Sequence, residues 1–133
     1  MNSLVNIVLF GIVGAVMMAA LLGLLLVAGN RAPRKGVRVA FGAVSVAVLL
    51  GVPASAALGE LAAGAGYGAA FLSALAVEII IYAANIALLP AVMRRAGRST
   101  ADRPRPSAAV LGGGLVISAV LALAASLLAL VLS

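Results

Sequence analysis

Cysteine, histidine and tryptophan are all missing from this 133-residue sequence, and acidic residues number three. Without Cys or His there is nothing to build disulfides, thiolate chemistry, histidine-ligated haem or ordinary zinc sites from, so no metal or cofactor is expected. Aromatic residues make up 4% and charged residues 9%, against about a quarter charged in an average soluble domain. The aromatic belts that anchor many membrane proteins are therefore almost absent. The N-terminus, Met-Asn-Ser-Leu-Val-Asn, lacks the basic segment of a cleavable signal peptide, so the first apolar run is expected to stay as a transmembrane segment.

What is abundant is uncharged apolar sequence. Hydrophobic residues reach 65% and mean hydropathy is +1.30, concentrated in long runs rather than dispersed. A bilayer crossing takes about 20 apolar residues. The runs predict an all-α membrane protein of one domain, residues 1–133, with four transmembrane helices at about 4–28, 37–58, 68–93 and 108–132. Pro53 is expected to kink the second run or begin its exit, Glu60 to mark an interface, and Tyr67 to serve as an interfacial anchor.

The nine basic residues fall in two short segments: Arg31, Arg34, Lys35 and Arg38, then Arg94, Arg95, Arg98, Arg103 and Arg105. A nucleic-acid binder would spread cations over a folded surface with aromatic or polar readers among them. Here they only punctuate the apolar runs, so no nucleic acid is expected as a partner. By the positive-inside rule the basic loops 29–38 and 94–107 belong on the cytoplasmic side. Four spans then form two out–in–out hairpins, with both termini outside, in a cell membrane. A chain rich in Ala, Gly, Val and Arg with a single Lys fits a GC-rich bacterial genome.

Each run contains small residues at i+4 spacing: Gly11, Ala15, Ala19 and Gly23; Ala43, Ala47, Gly51 and Ser55; Gly114, Ser118, Ala122 and Ser126. Such ladders let helices approach backbone to backbone, which is how membrane helices gain packing energy. The sequence does not say which ladders face inward. Ladders on several helices, with so few interfacial aromatics, point to close packing against other protein.

The distinctive chemistry lies in the third run. Glu78 falls near its middle, where an ionisable group costs roughly 2.5–3.5 kcal/mol on insertion scales. On a helix Glu78, Tyr82 and Asn85 share one face, at i, i+4 and i+7, extended by Ala74 and Ala70. Apart from Arg38 at the very start of the second, no Lys or Arg lies inside any span to pair with the acid. A neutral acid bonded to Tyr82, Asn85 or a neighbouring helix would be an anchor, whereas charge chemistry would need water or a partner. Asp102 sits among arginines and moderates loop charge. Met17–Met18 is core filler, since adjacent residues do not share a helix face. Gly112–Gly114 lacks the strand and Lys-Ser/Thr context of a phosphate loop.

The segment Glu78-Ile-Ile-Ile-Tyr-Ala-Ala-Asn85 resembles the glutamate helix of the small K-type subunits of respiratory complex I and of the C-type subunits of multi-subunit cation/proton antiporters. Those helices carry a Glu and, after two small residues, an Asn seven positions on. The resemblance implies a polar helix face inside a larger membrane assembly. It covers only these positions: this chain has four spans where those subunits have three, it has no second membrane glutamate on the next helix, and its glutamate helix runs the opposite way across the membrane.

An enzyme is not expected, because no nucleophile–base or metal constellation exists. The first expectation is a non-enzymatic accessory or structural subunit of a larger membrane complex. The second is a small homo-oligomeric proton- or cation-coupled transporter or channel using Glu78. The partners are accordingly the lipid bilayer and either other membrane subunits or copies of itself.

Overall fold

A computed structural model describes residues 2–29, 34–95 and 107–133. They form four helices, α1 (Ser3–Gly29), α2 (Lys35–Ala62), α3 (Tyr67–Arg95) and α4 (Ala108–Leu132). All four are long and apolar enough to cross a membrane. Of the two basic segments, Arg31, Arg98, Arg103 and Arg105 lie outside the described residues, as does Asp102. Lys35 and Arg38 belong to the start of α2, and Arg94 and Arg95 to the end of α3.

Helix ends follow local chemistry. Ser107 caps α4, its hydroxyl accepting from the Val110 amide at 3.3 Å, which satisfies one of the donors a helix start leaves free. The α2–α3 connection is a Schellman turn. Gly64 takes φ +79°, the Ala65 amide donates to the Glu60 carbonyl and the Gly64 amide to the Leu61 carbonyl, each at 3.0 Å. A residue with a Cβ is strained there; glycine is not.

One expectation for α2 is corrected. The helix does not exit at Pro53 but runs on to Ala62, with Pro53 buried inside it. Glu60, two residues before the end of that helix, is buried within the bundle. Proline is accepted at this depth when neighbouring helices cover the freed backbone, and Pro53 is among the most completely covered side chains.

α2 and α3 each pack against every other helix, whereas α1 and α4 scarcely meet. The outer pair must therefore lie on opposite sides of a central α2–α3 pair. One core cluster joins α2, α3 and α4 through Ala57, Ala70, Ala74, Ala122 and Ala129. The other joins α1 to α2 and α3 through Ala56, Val77 and Ile81, with Ile7, Phe10 and Met18 against them. Among the described residues, eight of the eleven buried hydrophobic ones are alanines, while Leu, Ile and Val crowd the exterior, Val131 and Val39 being over 70% exposed. Water would drive the opposite sorting. Small residues inside and branched ones outside fit a bundle solvated by hydrocarbon, held by close backbone approach.

Candidate functional site: a polar groove around Glu78

Ala70, Ala74, Val77, Glu78 and Ile81 form the buried stripe of α3, a helical i, i+4, i+7, i+8, i+11 series. Glu78 is 1% exposed and its Oε1 has no hydrogen-bond partner among the described residues. It lines a groove of about 240 Å³ between the helices, together with Tyr82 and Asn85 of α3, Met18 of α1, Leu49 of α2, and Gly114 and Ser118 of α4. The three polar residues of one α3 face thus share one groove. They are not bonded into one network: the Tyr82 hydroxyl donates to the Leu111 carbonyl of α4 at 3.0 Å. Gly114 makes that reach possible, because a Cβ there would run into the Tyr82 ring and hydroxyl.

Comparison with protein-family models, with curated proteins and with solved structures finds no match. The chemistry of the groove therefore rests on its own residues.

A second polar cluster joins the start of α1 to the end of α2. Ser3 Oγ donates to Glu60 Oε2 at 2.9 Å. Asn6 Nδ2 donates to the Ala56 carbonyl at 2.9 Å and to Glu60 Oε1 at 3.3 Å. Two acceptors on one end of the amide identify that end as nitrogen, and it leaves Asn6 Oδ1 buried without a partner among the described residues. Asn6 packs against backbone, since a Cβ at Gly59 would stand 3.1 Å from its Nδ2. Composition and periodicity passed over this cluster. A signal was present in Asn6, an amide inside an apolar run, which is a common cross-helix hydrogen-bonding residue. Its partner lies 54 residues away, beyond the reach of any local pattern.

The small-residue ladders divide. On α4, Ser118, Ala122 and Ser126 are buried and Gly114 is partly covered by Tyr82. Ser126 also bonds to Tyr67 through their hydroxyls at 3.0 Å, so Tyr67 is tied to α4. On α1, Gly11 is buried against Ile80 and Ala15 and Ala19 are half-buried, but Gly23 faces open space. Gly14, outside the ladder, is buried against Ile81 and Val52. On α2, Ala43, Ala47, Gly51 and Ser55 are all exposed; Ser55 bonds its own helix at the Gly51 carbonyl, 2.8 Å.

Proposed function

We propose that this chain is a non-enzymatic four-span membrane protein in which Glu78 is the loading site for a proton or a small cation. In this reading the helices form two out–in–out hairpins in a cell membrane, with loops 29–38 and 94–107 cytoplasmic and both termini outside. One observation carries the proposal: Glu78 is buried, lines a groove between the helices, and has an oxygen without a partner among the described residues. A carboxyl kept only as an anchor would use its hydrogen-bonding capacity on the neighbouring helix, as Glu60 does with Ser3 and Asn6. A buried ionisable group left free inside a membrane bundle is the usual mark of an ion or proton pathway.

A second reading is supported by the exposed ladder Ala43, Ala47, Gly51 and Ser55 on α2. There the chain is an accessory subunit of a larger membrane complex, and a partner helix lies along that ladder.

Reconstitution in liposomes tests both. Wild type should show pH-driven flux, and Glu78→Gln should lose it while keeping the same particle mass in detergent, because Gln fills the same space but cannot load and release charge. Flux equal to that of empty liposomes from wild type removes the reading that the chain transports alone. Co-purification of unrelated membrane subunits would favour the second reading instead.

A further inference from the structure

The Glu78 groove is larger and more apolar than a bare ion needs. We infer that its ligand is a small monovalent organic cation, an ammonium carrying apolar substituents, seated with its charge on Glu78. The inference rests on the Glu78 site proposed above and adds the class of ligand.

Volume is the first argument. About 240 Å³ lies just below the roughly 300–1,000 Å³ of pockets that hold drug-sized ligands, far beyond what one dehydrated metal ion fills. The lining is the second. Six of its ten residues are apolar: Met18, Leu49, Ile81, Gly114, Ile117 and Leu121. Hard cations such as calcium and magnesium ask for about six or more oxygen ligands. This groove offers only the side-chain oxygens of Glu78, Asn85, Ser118 and Tyr82, the last donating its proton to Leu111, fewer than such ions ask for. The described residues contain no cluster of three or more acidic or otherwise metal-ligating side chains.

Charge is the third argument. One carboxylate balances one positive charge, and the groove contains no basic residue. An ammonium with methyl or benzyl groups sheds water more readily than a compact ion and can bury those groups against the Leu, Ile and Met side chains. Tyr82, its hydroxyl bonded to α4, is among the residues that line the groove, and aromatic rings attract quaternary ammonium groups. The unpartnered Oε1 of Glu78 supplies the counter-charge.

The test is equilibrium dialysis of radiolabelled benzyltrimethylammonium against the purified full chain in detergent micelles. Saturable binding is expected, weakened by about tenfold or more in Glu78→Gln, the equivalent of about 1.4 kcal/mol, and largely kept in Glu78→Asp. Excess sodium should not displace it, nor should neopentylbenzene, the uncharged carbon isostere. Should Glu78→Gln fail to fold, the isostere competition on wild type decides whether charge is read. Displacement by sodium, displacement by the isostere, equal binding by Glu78→Gln, or no saturable binding would each overturn the inference. Glu78-dependent flux without ammonium binding removes only the ligand class. Ammonium binding without flux leaves the ligand class standing and removes the transport reading.

Discussion

The two buried glutamates differ in what surrounds them, and the proposed role of Glu78 rests on that difference. Glu60 accepts from Ser3 and Asn6 and ties α1 to α2, whereas Glu78 Oε1, beside a groove, has no partner among the described residues. Glu60→Ala should therefore lower stability in detergent by about 1–2 kcal/mol, the scale of intramembrane hydrogen bonds, since it removes the acceptor that Ser3 and the buried Asn6 amide share. Ser55→Ala should cost less, because Ser55 is exposed and its hydroxyl bonds only its own helix. Reversible unfolding in mixed micelles compares them, and an equal loss from both changes would count against the α1–α2 tie. Glu78 stood out in the sequence because a charge inside an apolar run is locally visible. Glu60 did not, since it sits close to a glycine-rich turn and its donors come from the other end of a long separation, 54 to 57 residues away.

At the level of helices, the apolar runs made all four elements legible, and Glu78, Tyr82 and Asn85 line one groove. Orientation was not legible, and the structure shows small-residue ladders turned both ways. On α4, Ser118, Ala122 and Ser126 turn inward. On α2 the buried face runs through Val48, Pro53, Ala54, Ala56, Ala57 and Glu60, while the equally regular Ala43–Ser55 ladder looks outward. Alanine contributes too little contrast between faces for spacing alone to choose. Packing on α4 can be checked directly. Ser118→Leu inserts bulk at a 4% exposed position and should cost about 1–3 kcal/mol by overpacking. Leu128→Ala trims a side chain on the outer surface, 43% exposed, and should be tolerated in lipid or detergent. Comparable unfolding midpoints for the two variants would argue that α4 does not pack through its small-residue face.

For the whole molecule, the arrangement ties charge to direction. α2 starts beside Arg34, Lys35 and Arg38, and α3 ends at Arg94 and Arg95, while only residues 63–66 join the two helices. The proposed hairpins thus gather the cations of both basic segments at one pole and leave the Gly64 turn, Glu60 and the start of α1 at the other. Moving such a cluster of cations across a membrane is opposed by the bias that keeps Lys and Arg cytoplasmic. Because the chain contains no cysteine, single substitutions report sidedness without background. Ala63→Cys, in the turn after α2, should react with a membrane-impermeant maleimide in intact cells. Ser99→Cys, between the second set of arginines, should react only after permeabilisation. Labelling of Ser99→Cys from outside would overturn the topology, and with it the assignment of the α2–α3 turn to the outer face. If instead both positions label only after permeabilisation, α3 does not span, and the Glu78 groove cannot lie on a route between the two sides.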